Sequence, residues 1–222
     1  MVYSGVLLGG IGTVVETSAL QLESFNRAFK EHGIDFVWDE ADYEKSLASA
    51  GGRSRLRALK LADGTKLTSE QVAQVHDTKT RLFDEAMVER GLELREGVAA
   101  LVARAKEEGI KLGWASTTSR DNIDAILQAV GDALSADDFD CICDVSMVEK
   151  PKPAPEIYEL ALERMGLEPG RALAVEDAPT GVTAATTAGI ETIAFPGRMT
   201  ARQDFSAASR TVMSLDEIVP ML

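Results

Sequence analysis

Apolar residues recur along this chain with two periods, one typical of buried strands and one typical of helices that bury a single face. Short apolar runs predict strands at residues 5–8, 110–115, 171–175 and 190–195, with a further apolar segment at 139–145. Helical periodicity predicts helices at residues 18–32, 97–108, 120–130, 155–165 and 179–188. Because strands and helices alternate, we predict an α/β fold with a doubly wound parallel sheet covered by helices on both faces.

A long helical block separates the first predicted strand from the others. From Asp39 to about Met87 the pattern is helical and rich in charge, with breaks at Gly51-Gly52 and Asp63-Gly64. No strand signal interrupts it. We therefore predict an α/β core formed by residues 1–17 and 89–222, with an inserted helical domain of residues 18–88.

The composition argues against several classes of protein. A chain of 222 residues with 45% hydrophobic content can bury a large core. Its formal net charge of −13 argues against nucleic acid or an anionic membrane as a partner, because both are themselves negative. The sequence shows neither an apolar run of about 20 residues nor the basic region and cleavage site of a signal peptide. We therefore expect a cytoplasmic location.

The two cysteines, Cys141 and Cys143, form an isolated C-x-C pair. A zinc site would lack further ligands, and a disulfide framework would lack partners. Free cysteine is among the most often buried residues, so we predict that both lie in the core.

Four short motifs follow one another along the chain. Val6–Thr17 is an apolar strand that runs into a glycine turn and a helix start, and Leu112–Thr117 is a strand that ends in hydroxyl residues. Lys150–Tyr158 reads K-P-K-P-A-P-E-I-Y, and Leu173–Val182 carries two adjacent carboxylates. A hydroxyl at the carboxyl end of a parallel strand is expected to lie in the ligand crevice of such a sheet.

In this order the motifs resemble those of the haloacid dehalogenase-like (HAD) hydrolases. The family's first motif is four apolar residues followed by D-x-D-G-T-[LV]. Gly12, Thr13 and Val14 fit this pattern. Gly9, however, stands where the family has its nucleophilic aspartate, and Ile11 stands where it has its acid/base aspartate.

The resemblance implies roles for residues in the other three motifs. Ser116 and Thr117 match the phosphate-binding hydroxyl position, and Lys152 matches the lysine that pairs with phosphate. Glu176 and Asp177 match the family's acidic pair, of which the second member helps to hold Mg²⁺. Three alternatives need no ligand. They are a serine that caps the next helix, a solvated lysine in a proline-rich loop, and an acidic pair that caps a helix.

Segments outside these motifs resemble the CbbY and β-phosphoglucomutase-like branch of the family. They are Asp35–Asp39 with Tyr43, Ser49–Arg53, and Pro196–Thr200 with Asp204-Phe205. The resemblance implies a sugar-phosphate substrate, xylulose bisphosphate among them, and a helical cap that closes over it. Gly51, Gly52 and Arg53 match the cap substrate loop, in which a basic residue contacts the distal phosphate. Gln21 stands where that branch usually carries histidine.

Neither glycine nor isoleucine can attack phosphorus or transfer a proton. Loss of catalytic residues typically lowers the rate by about 10⁴- to 10⁶-fold. The absent residue at Gly9 would also be a metal ligand, so we expect bound Mg²⁺ to be weak or absent. Glu16 is the nearest spare carboxylate, and it lies well past the turn. We therefore predict a catalytically impaired or silent protein, a pseudoenzyme.

A charge count suggests what such a site can still do. Glu176, Asp177 and Lys152 sum to about −1, which is similar to an intact site with Mg²⁺ bound. The glycine-rich turn from Gly9 to Gly12 is also expected to offer backbone N–H groups as an anion nest. This leads to the hypothesis of metal-independent binding of a small phosphorylated metabolite in a cleft between core and cap. In the alternative, Ile11 packs against neighbouring strands and fills the pocket.

Two further functions stay open. One is an active hydrolase with non-standard catalytic residues, because Ser116, Lys152 and the acidic pair are all retained. The other is a non-catalytic interaction module that uses its cap or a dimer face.

Overall fold

The computed structural model describes residues 3–47 and 51–222, and the chain divides into two compact units. Met1–Glu16 and Gly91–Leu222 form what we call the α/β unit, and Thr17–Arg90 forms the helical unit. The predicted boundaries after residues 17 and 88 lie close to these. The function of the helical unit as a cap stays a prediction.

The α/β unit is built on one six-stranded sheet with every neighbouring pair parallel. Its strands are β1 Gly5–Leu8, β2 Lys111–Ala115, β3 Cys141–Cys143, β4 Ala172–Glu176, β5 Glu191–Ala194 and β6 Arg210–Thr211. Their order across the sheet is β3-β2-β1-β4-β5-β6. This confirms the predicted doubly wound α/β fold. Strand β6 was not predicted, because its two residues are exposed and carry no apolar run.

Helices cover the sheet and complete its core. The α-helices of this unit are α1 Ile11–Val14, α6 Val98–Glu107, α7 Arg120–Val130, α8 Glu156–Met165 and α9 Pro179–Thr187. Short 3-10 turns lie at Gly131–Ala133, Ala136–Asp138, Val145–Met147, Pro169–Arg171, Leu215–Glu217 and Val219–Met221. Helix α8 packs on β2 and β3, and buried residues of α8, among them Ile157 and Met165, form one apolar cluster with Leu7 of the sheet.

The helical unit consists of α2 Ser18–Glu31, α3 Glu40–Ser46, α4 Gly52–Ala58 and α5 Ser69–Arg90, and α2 packs along α5. Its core is an aromatic cluster formed by Phe25, Phe29, Phe36, Trp38 and Tyr43, with neighbouring ring centroids 5.2–6.3 Å apart. Edge-to-face contacts of this kind stabilise a small core beyond the effect of area burial alone.

Both predicted breaks in the helical block correspond to glycines with positive φ. Gly51, with φ +83°, comes directly before α4, and Gly64, with φ +81°, lies in the turn before α5. Ser49 and Ala50, which belong to the predicted cap substrate loop region, lie outside the described residues. Among the described residues, no helix is long and apolar enough to cross a membrane.

Candidate functional site

The sheet topology brings three of the four motifs to one edge. Strand β1 lies between β2 and β4, with Leu8 in register with both Trp114 and Val175. The residues that follow these strands therefore meet at the carboxyl edge, where ligands of open α/β sheets bind. At this edge the Gly9 N–H donates to the Val175 carbonyl at 2.9 Å.

Lys152, from the loop before α8, points into this edge and is buried. Its ammonium group donates to the carbonyl oxygens of Gly9 and Ala115, the latter at 2.8 Å, and to Glu176 Oε1 at 2.5 Å. The side chains of Lys152 and Glu176 are 6% and 2% exposed. Because an ammonium has three donors, these contacts satisfy it completely. The lysine is thus not a solvated loop residue.

The Glu176 carboxylate is held by a second buried donor. The Tyr158 hydroxyl donates to Glu176 Oε1 at 2.5 Å. Burial, together with the nearby Glu176 charge, raises the pKa of Tyr158 well above its usual range, so it stays a neutral donor. Lys152, Glu176 and Tyr158 form a hydrogen-bonded ion-pair cluster that we call the lysine cluster.

Gly9 and Gly12 lie against carboxylates. A Cβ atom at Gly9 would lie 2.1 Å from Glu176 Oε1 and 2.5 Å from the Tyr158 hydroxyl. A Cβ at Gly12 would lie 2.1 Å from Asp177 Oδ2. Any side chain at either position requires these groups to move. The two glycines therefore allow the acidic pair to approach the turn closely.

The anion nest predicted for this turn is not formed. A nest needs successive residues of right- and left-handed conformation. Within the described chain, none of the residues from Gly9 to Gly12 has a positive φ, and Gly10 is extended at −159°. The glycines therefore serve close packing of side chains rather than a left-handed turn.

Asp177 faces the same turn from the end of β4. The Thr13 hydroxyl donates to Asp177 Oδ1 at 3.0 Å. Burial of the carboxylate, followed by the nearby charge of Glu176, raises its pKa to about 6. The ionised form of Asp177 is therefore less favourable in the folded protein than in the unfolded chain.

We expect Asp177→Asn to stabilise the protein at pH 8 by about 1 to 2 kcal/mol and to have little effect at pH 4. A raised carboxyl pKa means that the folded state binds the proton more tightly. The cost of the carboxylate is therefore fully present above about pH 6 and is lost as the pH falls toward 3.8. Urea unfolding at both pH values measures the effect.

The control is Asp204→Asn, at an exposed carboxylate whose pKa is lowered by hydrogen bonds from Ser206. It removes the same charge and should give no gain at pH 8. An equal gain from both variants would contradict a local effect of Asp177.

The Arg95 side chain holds the glycine turn through hydrogen bonds, and it is not a member of the acidic pair. Its guanidinium donates to the carbonyl oxygens of Gly12, Phe195 and Pro196 at 2.5–2.9 Å. It also lies over the Phe195 ring, 3.4 Å from the centroid. These contacts hold the turn after β1 against the loop after β5.

The Glu16 carboxylate, which follows the glycine turn, is hydrogen-bonded to a different part of the chain. Glu16 Oε2 accepts a hydrogen bond from the Arg198 N–H at 2.7 Å, beside Gly197. The structure thus places Glu16 at the loop after β5 and not in the lysine cluster.

The helix-capping alternatives are wrong for both motifs. The N-cap of α7 is Ser119, which accepts from the Asn122 N–H, whereas Ser116 Oγ accepts from the Thr118 N–H at 3.2 Å. The N-cap of α9 is Ala178, without a side-chain cap. Ser116 is buried, and Thr117 and Ile11 are partly exposed, so Ile11 does not fill a closed pocket.

The residues at this edge do not fit a magnesium ion. Hydrolases of this family generally use Mg²⁺, a hard cation that requires several oxygen ligands in octahedral geometry. Here Glu176 is engaged by Lys152 and Tyr158, and positions 9 and 11 supply no carboxylate. Among the residues that the structure describes, no group of three or more His, Cys, Asp or Glu side chains is arranged for a metal.

The helical unit carries a cationic cluster of its own. Lys79, 8% exposed, donates to Gln21 Oε1 at 3.2 Å and lies between the rings of Phe25 and Phe83. Burial, and then the charge of Arg55, lowers its pKa to about 8. The charge of Asp84 opposes this lowering and compensates the ammonium in part, and an anionic partner would compensate it further.

Two more basic side chains lie near Lys79. Burial, followed by the charges of Lys79 and Arg53, lowers the pKa of His76 to about 4. Arg53 donates to Asp77 Oδ1 at 3.1 Å, and a Cβ at Gly52 would lie 3.1 Å from the His76 ring. Arg53, Arg55 and Lys79 form what we call the cationic cluster, and the His76 ring beside them is neutral near pH 7. Of the predicted cap substrate loop, Arg53 belongs to this cluster and Gly52 lies against the His76 ring.

Sequence reasoning did not single out Lys79, Tyr158 or Arg95. Lys79 falls on the buried face of α5 that also carries Val75 and Leu82. A lysine at a core position of an amphipathic helix was a usable signal. Tyr158 ends the K-P-K-P-A-P-E-I-Y motif, but its role, like that of Arg95, depends on contacts across the fold.

Comparison with known proteins identifies the family. A family model described as haloacid dehalogenase-like hydrolase matches residues 6–189. The chain therefore belongs to the HAD-like hydrolases. It is similar to CbbY of Cereibacter sphaeroides, with 38% identity over 208 residues that cover 93% of this chain and 90% of that protein. It is also similar to the plasmid-encoded CbbY of Cupriavidus necator, with 41% identity covering 89% and 80% of the two chains.

A solved structure in the same branch has the same fold. A crystal structure of mutant CbbY from Rhodobacter sphaeroides in complex with xylulose-(1,5)bisphosphate matches with a TM-score of 0.84. The two chains are 36% identical, and the match covers 96% of this chain and 95% of that one. These relatives confirm the predicted family and its CbbY branch.

Proposed function

We propose that this chain binds a phosphorylated sugar, most favourably a bisphosphate, and does not hydrolyse it. The observation that carries the proposal is the packing at Gly9. The position that follows β1 has no side chain, and the space a side chain would need is occupied by Glu176 and Tyr158. A nucleophile therefore cannot be presented there in this arrangement.

Other side chains at the carboxyl edge do not supply the missing chemistry. Ile11 has no titratable group, and Glu16 bonds to the Arg198 N–H. Ser116 Oγ accepts from the Thr118 N–H, and Lys152, which lies beside it at the Ala115 carbonyl, is engaged by Gly9, Ala115 and Glu176. This supports a silent site rather than an active site with substitute residues.

Anion binding is supported most strongly by the cationic cluster. Lys79 is charged below about pH 8, and Arg53 is exposed enough to reach a ligand. A phosphate would offset the mutual repulsion of these cations and form charge-assisted hydrogen bonds with them. The related CbbY in complex with xylulose-(1,5)bisphosphate suggests a sugar with two phosphates.

The contacts within the lysine cluster lower the share of the binding affinity that we expect from the carboxyl edge. Lys152 is already satisfied by Gly9, Ala115 and Glu176, so a phosphate at this edge must compete with an internal ion pair. The hydroxyl residues Ser116 and Thr117 remain candidate contacts. We therefore expect most of the affinity to come from the cationic cluster and to be independent of Mg²⁺.

We expect xylulose bisphosphate to raise the melting temperature in the presence of chelator, and Lys79→Met to abolish that shift. Without ligand, Lys79→Met should be more stable than the wild type at pH 7. A lowered lysine pKa costs stability below about pH 8, and this cost disappears as the pH rises toward 10.5. A gain in stability together with a loss of binding separates a ligand-binding role from a purely structural one.

Lys66→Met is the matched control, because Lys66 is an exposed lysine of the same unit. It should leave both stability and the ligand shift unchanged.

Phosphate release by the wild type would favour the active-hydrolase alternative. An equal shift in Lys79→Met, or none in the wild type, would contradict the proposed site, and the latter would favour an interaction module.

A further inference from the structure

The segment that contains α4 is strongly basic in an otherwise acidic chain. Residues 51–62 carry the basic side chains of Arg53, Arg55, Arg57 and Lys60 and no carboxylate, whereas the whole chain has a formal net charge of −13. Arg53 and Arg55 belong to the cationic cluster. Arg57 and Lys60 lie outside it, and we call these two residues the outer basic pair.

The outer basic pair lies beside the cationic cluster. Arg57 is four residues after Arg53 on α4, so the two side chains share one face of the helix, with Cβ atoms about 6 Å apart. Lys60 follows two residues after Ala58, the last residue of this helix. Helix α4 packs against α5, which carries Lys79. Positive charge therefore extends from buried Lys79 to half-exposed Arg53 and then to exposed Arg57.

Neither member of the outer basic pair is neutralised by a carboxylate. Both side chains are exposed, and within residues 3–47 and 51–222 neither forms an ion pair. The next carboxylate along the chain, that of Asp63, accepts two hydrogen bonds from Thr65. Three other basic residues of the helical unit have carboxylate partners, namely Lys45 with Asp42, Arg81 with Glu85 and Arg90 with Glu23. The field of the outer basic pair is thus available to a ligand.

On the basis of the function proposed above, we propose that Arg57 and Lys60 attract the phosphorylated sugar electrostatically and thereby favour a bisphosphate over a monophosphate. Each phosphate group carries nearly two negative charges at pH 7. A bisphosphate therefore carries about twice the charge of a monophosphate, and the same two cations attract it about twice as strongly. The cationic cluster holds the ligand, and the outer basic pair raises the local ligand concentration beside it.

The size of the ligand determines which charges it meets. The Debye length is about 8 Å at physiological ionic strength, so a small anion responds mainly to charges within one or two helical turns. Arg57 lies one turn from Arg53 and is within this range. An extended polyanion such as nucleic acid would also meet the negative charge of the remaining surface. The outer basic pair therefore suits a small ligand of high charge.

The test is isothermal titration calorimetry of the full chain with xylulose bisphosphate, in chelator, at about 20 mM and about 500 mM NaCl. At low salt we expect Arg57→Gln/Lys60→Gln to weaken binding by about 10-fold and Arg57→Glu/Lys60→Glu by about 100-fold. At high salt the Debye length falls to about 4 Å, so the glutamine variant should bind within about 2-fold of the wild type. With xylulose monophosphate at low salt, the glutamine variant should lose only about 3-fold.

Two controls separate charge from other effects. Arg57→Lys keeps the charge and loses the guanidinium, so it should bind within about 2-fold of the wild type. Arg27→Gln/Lys30→Gln removes the same two charges from exposed positions of α2 in the same unit. There the charge of Arg27 is offset by Glu23, whose pKa is lowered first by a hydrogen bond from Arg90 and to a smaller extent by Arg27. This variant should change the affinity by less than about 2-fold.

The outcomes distinguish this inference from the function on which it rests. Equal weakening by the control variant, an effect of Arg57→Gln/Lys60→Gln that persists at high salt, or equal weakening for the two sugar phosphates would overturn the inference alone. Absence of binding to the wild type at both salt concentrations would contradict the proposed function and the inference with it. Thermal unfolding without ligand shows whether each variant is folded. If a double variant is not, Lys60→Gln decides the question, with an expected loss of about 3-fold at low salt.

Discussion

Lys152→Met is expected to lower the free energy of unfolding by about 3 to 5 kcal/mol, the largest stability effect that this structure predicts. Among the described residues, Tyr158 is the donor that the substitution leaves to the buried Glu176 carboxylate. Removal of one partner of a buried ion pair costs more than the pair itself contributes, because the other charge stays in a low-dielectric environment. Urea denaturation at pH 7 measures the loss directly.

A second substitution tests that explanation. Glu176→Gln added to Lys152→Met removes the uncompensated charge, and we expect it to recover at least half of the lost stability. Lys150→Met is a suitable control, because Lys150 is exposed in the same loop. If the double variant is no more stable than Lys152→Met alone, the loss arises from packing and not from the buried charge. This prediction also means that a variant of Lys152 cannot serve as a simple test of ligand binding.

Restoring both aspartates, as Gly9→Asp/Ile11→Asp, should produce a metal-dependent phosphatase. Without metal we expect this variant to be less stable than the wild type by about 2 kcal/mol or more, because it adds carboxylates beside Glu176 and Asp177. Millimolar Mg²⁺ should raise its melting temperature and leave that of the wild type unchanged. Hydrolysis of p-nitrophenyl phosphate should rise at least about 10³-fold over the wild type.

The control for this experiment is Gly9→Asn/Ile11→Asn. It introduces side chains of nearly the same size without charge, so it should be destabilised by crowding at Gly9 but show neither a Mg²⁺ shift nor turnover. Wild-type turnover with the same Mg²⁺ dependence as the aspartate variant would contradict the proposed silent site.

The fold was predictable from sequence because its signals are local and ordered. The apolar runs of β1, β2 and β4 end at a glycine, a hydroxyl and a carboxylate residue, and parallel pairing then places those residues at one edge. Ser116 and Asp177 reached that edge for this reason. Strand β6 has no such signal, since Arg210 and Thr211 pair with β5 through their backbone alone.

The side-chain partners were not predictable in the same way. The position of Lys152 in the sequence says that it reaches the edge, but not that Gly9, Ala115 and Glu176 satisfy it there. These contacts of Lys152 depend on the space that remains because residue 9 is a glycine. The anion nest failed as a prediction for a related reason, because glycine composition does not determine φ.

The close packing of Glu176 and Tyr158 over Gly9 also bears on how such a protein can evolve. An aspartate introduced at position 9 alone would meet space occupied by Glu176 and Tyr158, and the charge of Glu176, before any benefit from the residue at position 11. Each single step back toward hydrolysis is therefore expected to lower stability without restoring turnover. The silence that we propose for this site would thus be maintained by the packing of the carboxylate and the tyrosine over the turn, even where the remaining motifs are intact.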